Sequence, residues 1–452
     1  MSNNNFSRRA FLKLSASAGM VAALGEFKPI QAAAAGDYKA LVCIFLFGGN
    51  DGHNTVIPLS QSEYAAYSSK RGNLALTGNR LLPITTTTGG QYALNYGLAE
   101  MQPLFQQGKL AVIANTGILA EPTTLQQYQQ NLVTLPTQLF SHSDQIVQMQ
   151  AGIPSASASS GWGGRIADAM QANNANTTFP VSVSFNGSAL FCAGQSVPGT
   201  NLQPGNSLDQ YAMGNGWPQA AIDARITGQK QIMALSNSNR LIAAADKTMS
   251  DMWLLNGIMK GAGSGNLTTQ FPNTPLGNQL KEVARFINIR AQTGAGRQVF
   301  FCGLGGFDTH SGQDYQQWVL LQQLSQALKA FYDATIEMGV AAQVTTFTLS
   351  DFGRSLQPSG TGTDHGWGSH YLVLGGAVSG QQIYGSFPIM NQADPNYNPN
   401  AFLDNRGVLL PSTSLAQYGG TLAKWFGATD AHLDAMFPEL MKFTIRDLGF
   451  ML

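Results

Sequence analysis

The chain is poor in charge, cysteine and histidine. Of its 452 residues only 11% are charged, the formal net charge is zero, and there are three cysteines and six histidines. No basic stripe is present that could engage a phosphate backbone, so nucleic acid is not an expected partner. An odd number of scattered cysteines is no disulfide framework. We expect Cys43, Cys192 and Cys302 to be buried free thiols; a Cys43–Cys302 bridge would need neighbouring strands with suitable geometry.

The sequence also lacks segments and motifs that would indicate other classes of protein. After the N-terminal region, no stretch approaches the ~20 uninterrupted apolar residues of a membrane span, so no permanent span is expected. No G-x-G-x-x-G motif opens a helix after the first apolar run, and no P-loop occurs. These absences disfavour a nicotinamide or flavin enzyme and a P-loop nucleotide enzyme.

The N-terminus carries a twin-arginine pattern. The motif SRRAFLK at residues 7–13 precedes a weakly apolar run and then the small residues 32–35, where an A-x-A cleavage site would fit. This order predicts a signal peptide over residues 1–35, with the Tat translocase as partner during export. The mature chain, residues 36–452, would then be periplasmic or secreted. The alternative interpretation is an amphipathic first helix of the mature fold.

Segments typical of buried strands alternate with helical patterns. These segments lie at residues 38–47, 109–114, 299–302, 344–349 and 370–374. Apolar residues recur at helical spacing in the segments 94–105, 280–291 and 315–338. This alternation predicts an α/β fold with a doubly wound sheet. Residues 186–274, rich in glycine, asparagine, serine and glutamine, are expected to form an insertion or cap on that sheet.

Acidic residues and histidines gather in short polar segments, most of them rich in glycine. The segments are 48–54 (GGNDGHN), 140–145 (FSHSDQ), 305–311 (GGFDTHS), 349–354 (LSDFGR) and 364–370 (DHGWGSH). Ligands of an open α/β sheet bind beyond the carboxyl ends of its strands, where Asp51, Asp308, His310 and Asp351 would emerge. An aspartate in one glycine turn is usually a turn former. Three strand ends that each deliver a carboxylate favour a shared site.

Three converging carboxylates need protons, basic partners or a cation. Two carboxylates ~4 Å apart repel by about 4 kcal/mol at an effective dielectric constant of about 20. Aspartate and histidine without cysteine suit zinc, and a set richer in carboxylate suits manganese or calcium. Arg354 could instead neutralise one acid or hold an anionic substrate.

The ordered motifs resemble those of the DUF1501 family. The twin-arginine leader is followed by the GGNDG, FDTHS, SDFGR and DHGWG segments, and the resemblance extends from about Tyr38 to the C-terminus. That family is counted with the alkaline phosphatase and sulfatase-like superfamily. The resemblance implies a mostly parallel central sheet flanked by helices. It also implies a divalent metal at the strand ends, zinc first and manganese or calcium as alternatives.

The resemblance implies roles for individual residues as well. Asp51 matches an aspartate that binds one metal after the first strand. Asp308 and His310 resemble the aspartate–histidine pair of the other metal, at shorter spacing than D-x-x-x-H. His365 resembles the last histidine ligand. The strand expected to end in Asp-His ends here in Asp351 followed by phenylalanine, so one histidine ligand is missing.

The nucleophile of the superfamily has no clear counterpart. Neither C-x-P-x-R nor S-x-P-x-R occurs, which does not support formylglycine chemistry. Ser141 and Ser143 beside His142 are the nearest candidates, with His142 as a metal ligand or proton carrier. Loop capping explains both serines equally well. Thr55 is a weaker candidate.

Two functions are compatible with these observations. The first is an exported metal-dependent hydrolase acting on phosphate or sulfate esters, with an anionic small molecule or polymer as substrate. The second is a non-catalytic exported binding or assembly protein that keeps the fold. The missing histidine and unclear nucleophile favour the second, whereas an intact pair of metal centres in purified protein would favour the first.

Overall fold

The computed structural model describes most of the chain after residue 37. The described residues are 38–452 except 176, 178, 206–216, 236–238, 240, 241, 244, 247, 248, 251, 252, 254–256 and 258–266. The predicted signal peptide, residues 1–35, and much of the predicted insertion at 186–274 lie outside the described residues.

The described strands form two sheets, one of nine strands and one of three. In chain order the strands are β1 (Lys39–Phe47), β2 (Val56–Pro58), β3 (Leu81–Thr85), β4 (Gln91–Asn95), β5 (Leu110–Gly117), β6 (Ser182–Ser184), β7 (Thr200–Asn201), β8 (Arg297–Gly305), β9 (Val344–Ser350), β10 (Ser369–Gly375), β11 (Ile383–Tyr384) and β12 (Thr413–Ser414). The main sheet has the order β11-β5-β10-β9-β1-β8-β6-β7, with β12 paired to β5. The small antiparallel sheet has the order β2-β4-β3.

Helices connect these strands. In chain order the described α-helices are α1 (Gln61–Arg71), α2 (Met101–Gln106), α3 (Leu125–Gln129), α4 (His142–Ala151), α5 (Trp162–Ala169), α6 (Gln219–Met233), α7 (Pro275–Asn288), α8 (Arg290–Thr293), α9 (Gln313–Glu337), α10 (Leu415–Phe426) and α11 (Asp430–Met436). Within the predicted insertion, α6 buries none of its residues. No helix in the described part of the chain is long and apolar enough to cross a membrane.

The main sheet is mostly parallel. β1 lies between β8 and β9 and is parallel to both, with Ile44 opposite Cys302 on one side and Thr348 on the other. β10 is antiparallel to its neighbours β9 and β5. The beginning of β10 therefore lies at the same edge as the carboxyl ends of β9, β1 and β8. This edge carries the candidate site.

Helices cover both faces of the main sheet. Val42 and Ile44 of β1 pack into one hydrophobic core with α7 and α9, whereas Cys43 and Phe45 pack into another with α5 and α10. All four side chains are fully buried. A strand buried on both faces is apolar throughout rather than alternating, which explains the run at 38–47. The predicted α/β class is confirmed, with a mostly parallel sheet flanked by helices.

The helical pattern predicted over residues 94–105 corresponds to three separate elements of the structure. Leu94 lies in β4, Leu98 in a 3-10 turn (Tyr96–Leu98), and Met101 and Phe105 in α2. All four are buried in one core, so burial rather than a continuous helix produced their spacing.

The cysteines have the predicted state. All three are buried and free, although Cys43 in β1 and Cys302 in β8 lie on adjacent strands. Burial in an apolar environment raises the pKa of each thiol, so they are unreactive at neutral pH.

Candidate metal centre

Five polar side chains meet at the carboxyl edge of the main sheet. Asp351 directly follows β9, and Asp308 and His310 follow β8 after a short turn. His142 is the first residue of α4, and His365 lies in the loop that leads into β10. Four of the five were predicted as metal ligands, and His142 as catalytic. The structure thus brings three loops and one helix end together.

His142, Asp308 and His365 form a group that could hold a metal ion, here called the His-Asp-His cluster. The Nε2 atom of His142 lies 3.1 Å from Nε2 of His365 and 3.4 Å from Oδ2 of Asp308. Nε2 of His365 lies 3.3 Å from Oδ1 of Asp308. Ligand atoms about 2.0–2.1 Å from a tetrahedral zinc ion are separated by about 3.3 Å. The spacing therefore suits an ion of this kind.

His310 borders the cluster as a fourth candidate ligand. Its Nε2 atom lies 3.0 Å from Nε2 of His365 and 3.0 Å from Oδ1 of Asp308. Its Nδ1 atom lies 3.8 Å from Oδ1 of Asp364. The side chain is half exposed, so His310 closes the cluster on the solvent side.

The partners of the ring nitrogens assign the histidine tautomers. Nδ1 of His365 lies 2.8 Å from the backbone carbonyl oxygen of Phe140, which can only accept, so this nitrogen carries the proton and donates. Nδ1 of His142 donates in the same way to Oδ2 of Asp351 at 2.7 Å. In the neutral rings the lone pairs are then on the two Nε2 atoms, which face each other and the carboxylate of Asp308. Three acceptors in contact require a cation or a proton between them.

The surroundings set the protonation of the cluster. The hydrogen bond to Asp351 raises the pKa of His142, whereas desolvation lowers the pKa of His365. Desolvation alone would raise the pKa of Asp308, but the hydrogen bond and charge of Arg354 outweigh it and hold that pKa below its usual value. Asp308 is therefore ionised at neutral pH.

Gly48 fixes the backbone around the site. Its N–H donates to both carboxylate oxygens of Asp351, at 3.2 and 3.1 Å. Its φ is +113°, and a Cβ at this position would lie 2.3 Å from the backbone nitrogen of Asp308. Only glycine permits this close approach, which explains one glycine of the first motif.

Arg354 lies beneath the site. Its side chain is fully buried, and its Nη1 donates to Oδ1 of Asp308 and to the carbonyl of Gly48, both at 3.0 Å. The other donors bond to Thr363. Two roles were predicted for Arg354, and the structure shows contacts for the first of them, neutralising an acid. The second, holding an anionic substrate, stays a prediction.

Asp51 was predicted as a metal ligand, but its contacts are with other groups. Its carboxylate forms an ion pair with Arg71, and both side chains are fully buried. The same carboxylate accepts from the amide of Gln313 and from the backbone N–H of Asn54. The last residue of α1 thus supplies a positive charge where a metal was expected, and the role of Asp51 as a metal ligand stays a prediction.

The predicted hydroxyl nucleophiles form hydrogen bonds outside the cluster. Ser141 and Ser143 donate to Oδ2 of Asp144, at 2.5 and 3.1 Å. Thr55 donates to a backbone carbonyl four residues earlier, at 2.7 Å. Among the described residues none of these hydroxyls contacts the cluster. His142, whose Nδ1 is used by Asp351, has the geometry of a ligand rather than of a base for either serine.

Sequence reasoning missed the groups that orient the histidines. The Phe140 carbonyl has no side-chain signature, although Phe140 has a positive φ of +71°. Phe352 stands where the missing histidine was expected, and its ring centroid lies 4.7 Å from those of His142 and His365. Asp364 opens the DHGWGSH motif and could have been found there.

The chain belongs to the DUF1501 family, described as proteins of unknown function, whose sequence profile matches residues 38–437. No curated protein sequence matches the chain. Similar solved structures include Ps i-CgsB in complex with k-i-k-neocarrahexaose, with 12% identity, a TM-score of 0.36, and coverage of 90% of this chain and 76% of that one. The PsFucS1 sulfatase from Pseudoalteromonas sp. has 8% identity and a TM-score of 0.32, covering 84% and 73%. A mutant of the alkaline phosphatase PafA has 11% identity and a TM-score of 0.27, covering 70% and 64%.

Proposed function

We propose that this member of the DUF1501 family is an exported metal-dependent hydrolase that acts on phosphate or sulfate esters. The observation that carries the proposal is the meeting of two imidazole lone pairs with an ionised carboxylate in the His-Asp-His cluster. A cation among these acceptors removes their repulsion, and a divalent metal does so with the spacing observed.

The donor set indicates which metal is preferred. His142, Asp308 and His365 would hold the ion, with His310 as a further ligand. Imidazole nitrogens suit zinc, and manganese is the next choice, whereas calcium prefers oxygen ligands only. When bound, the ion would supply Lewis acidity toward an ester oxygen and a nucleophile from water near neutral pH.

The protein's own residues prepare the site for this chemistry. Asp351 and the Phe140 carbonyl hold His142 and His365 in the tautomers that leave Nε2 unprotonated. Arg354 keeps Asp308 ionised. Such partners fix the orientation of metal ligands and raise their basicity.

We also propose that the site holds one ion rather than two. Asp51, the residue expected for a second ion, is neutralised by Arg71 and fully buried. An additional divalent cation would have to displace a buried guanidinium, which would leave that charge unpaired.

An anionic substrate is supported by the rim of the site. Arg406 is half exposed, and its Nη1 lies 3.7 Å from Oδ2 of Asp364, which in turn lies beside His310. The Nε and Nη2 atoms of Arg406 also bond to Oδ2 of Asp404, at 2.8 Å, so a phosphate or sulfate group attracted to this cation would exchange those carboxylate contacts for its own.

One observation favours a non-catalytic binding protein as the second candidate. Ser141 and Ser143 donate to Asp144, so no hydroxyl nucleophile contacts the cluster among the described residues. A hydrolase of this kind would have to use water instead of a serine.

Metal content and turnover measured on the same preparation test the proposal. We expect one zinc or manganese per chain by elemental mass spectrometry, and ester hydrolysis that a chelator abolishes and added metal restores. The double variant His142→Ala/His365→Ala should lose both properties. His432→Gln, which changes a partly buried histidine of α11 that caps the start of that helix, should keep both, because glutamine can cap the helix in the same way. Absence of stoichiometric metal contradicts the proposal, and stoichiometric metal without turnover of either ester class supports the binding protein.

Export by the Tat route is part of the proposal. It is supported by the SRRAFLK motif at residues 7–13. Changing Arg8 and Arg9 together to lysine should leave the protein in the cytoplasm, as measured by cell fractionation, while Lys13→Arg should not. Unchanged export of the double lysine variant would exclude the Tat route.

A further inference from the structure

We propose that a cavity distinct in its lining from the His-Asp-His cluster binds a neutral carbohydrate. This amide cavity has a volume of about 430 Å³ and is lined in part by Asn115, Asn396, Asn398 and Asn400. Small-molecule sites typically have volumes of about 300–1,000 Å³. The inference does not rest on the proposed hydrolase function, because none of the proposed metal ligands lines the cavity.

The lining carries no charge, and its polar groups are amides and hydroxyls. Besides the four asparagines it includes the hydroxyl groups of Thr123, Thr124, Ser386 and Ser412, and no aspartate, glutamate, lysine, arginine or histidine of the described chain. An anionic or cationic ligand would lose its hydration here without a counter-charge. Amides and hydroxyls both donate and accept hydrogen bonds, which matches a ligand that carries several hydroxyl groups.

Several of these polar groups are free to bind a ligand. The side chains of Ser386, Asn396, Asn400 and Ser412 make no hydrogen bond within the described part of the chain, and Asn396 and Asn400 are exposed. The side chain of Asn398 accepts from the backbone N–H of Asn400 at 3.0 Å, which fixes the local turn. The wall therefore offers donors and acceptors on a defined backbone.

An aromatic ring forms part of the apolar wall. Phe387 lines the cavity, with Pro388 and Leu410 as further apolar residues. Its ring is held by stacking on His370, with centroids 4.7 Å apart, and by edge contact with Tyr92 at 4.9 Å. Pyranose rings carry C–H faces that pack on aromatic rings, so one aromatic surface among amides and hydroxyls suits a sugar residue.

Asn115 anchors the cavity to the main sheet. It has a positive φ of +44°, and its backbone N–H donates to Nδ1 of His370 at 3.0 Å. The side-chain amide of Asn115 donates to the backbone carbonyl of Leu410 at 2.8 Å. The backbone carbonyl of Asn115 accepts from the backbone N–H of Ser412 at 3.1 Å. A wall held in this way is preformed, so binding requires little ordering of the protein.

The amide cavity lies at the same sheet edge as the His-Asp-His cluster. Asn115 is near the carboxyl end of β5, and β5 runs parallel to β9, which ends just before Asp351. One strand, β10, lies between β5 and β9, so the axes of β5 and β9 are about 10 Å apart. A saccharide bound in the cavity could extend toward the cluster.

Calorimetric titration with a panel of oligosaccharides tests the inference. The probes are maltohexaose, cellohexaose, laminarihexaose and xylohexaose, with oligogalacturonate as the charged comparison, on protein freed of metal by a chelator. We expect at least one neutral probe to bind with a Kd of about 1 mM or tighter. The double variant Asn396→Ala/Asn400→Ala should weaken that binding about tenfold or more. Gln392→Ala, an exposed amide of the same segment outside the lining, should leave it unchanged.

Each result decides the inference. Binding of a neutral probe that the double variant loses supports it, and Phe387→Leu should also weaken that binding if the double variant proves unstable. Equal binding by the double variant, binding of oligogalacturonate alone, or no binding of any neutral probe up to about 10 mM overturns it. Because the protein is metal-free, these outcomes are independent of whether the cluster binds an ion.

Discussion

The three histidines at the cluster differ in the group that their Nδ1 atom contacts. In His142 this atom meets the buried carboxylate of Asp351, and in His365 it meets a backbone carbonyl. In His310 it lies 3.8 Å from the half-exposed Asp364. A buried carboxylate partner fixes the ring and raises its basicity more than an exposed one. We therefore expect His142 to be the most firmly held ligand and His310 the most replaceable.

The first prediction concerns Asp351→Asn. This change keeps the size of the side chain but removes the charge that orients His142, so metal affinity should fall about 10–100-fold with little change in thermal stability. Competition with a chromophoric chelator measures the Kd. Asp144→Asn, which alters the carboxylate bonded to Ser141 and Ser143, should leave the Kd unchanged. Equal Kd values for all three proteins would mean that Asp351 does not orient a ligand.

The second prediction concerns acid stability and His370. This buried ring accepts a backbone N–H at Nδ1, and desolvation lowers its pKa to about 3; its neighbour His53 has a pKa lowered to about 4 for the same reason. In the unfolded chain a histidine has a pKa of about 6.5. Below this pH the histidine of the unfolded chain binds a proton and the buried histidine of the folded chain does not, so the free energy of unfolding decreases as the pH falls. For His370 the loss between pH 8 and pH 5 is on the order of 2 kcal/mol.

Urea unfolding at pH 8 and pH 5 measures this effect. A chelator is present in all samples so that loss of metal does not contribute. The variant His370→Gln should lose less stability than the parent between the two pH values. His432→Gln, which changes a partly buried ring and keeps the cap of α11, should behave as the parent does. An unchanged pH dependence in His370→Gln would show that this histidine is not the acid-sensitive group.

At the scale of elements, some features were readable in the sequence and others were not. β1 and the middle of β8 were predicted from apolar runs, because strands buried on both faces are largely apolar. β9, which carries three threonines, was predicted from its place after the helical pattern at 315–338. The sequence did not predict that β10 runs antiparallel to its neighbours, because a buried run of seven residues shows the same pattern in a strand of either direction. The predicted strand ends correctly gave the positions of the acidic residues and histidines, but they did not indicate which groups these side chains contact. The pairing of Asp51 with Arg71 depends on where α1 ends, and the role of His142 depends on α4 facing β9.

The third prediction concerns the turn after β1. Gly48→Ala places a Cβ where the backbone of Asp308 lies and forces an L-residue into a positive φ. The turn must shift, and with it both Asp351 and Asp308, so the variant should unfold at lower temperature and bind metal weakly. Gly449→Ala, also at positive φ but with nothing within 4 Å of the new Cβ, should show only the backbone strain of about 1–2 kcal/mol. Equal losses in thermal unfolding and metal titration for the two variants would show that the contact with Asp308 is unimportant.

For the whole molecule, scarcity of charge makes the site distinctive. The chain has 25 acidic and 25 basic residues among 452, yet two aspartates, three histidines and an arginine meet at one sheet edge. His142, Asp308 and His365 come from segments far apart in the sequence. An ion bound to all three would join these segments only in the folded state.

The fourth prediction follows from this cross-linking. A ligand that binds only the folded chain stabilises it by about 2.7 kcal/mol at about 100 times its Kd. With an unfolding entropy of about 2.1 cal/mol/K per residue, a chain of this length should gain about 3 °C in Tm. Differential scanning fluorimetry of chelator-treated protein with increasing zinc or manganese measures this shift. The double variant His142→Ala/His365→Ala should show no shift and His432→Gln the full one. A shift of equal size in the double variant would place the stabilising ion elsewhere on the molecule.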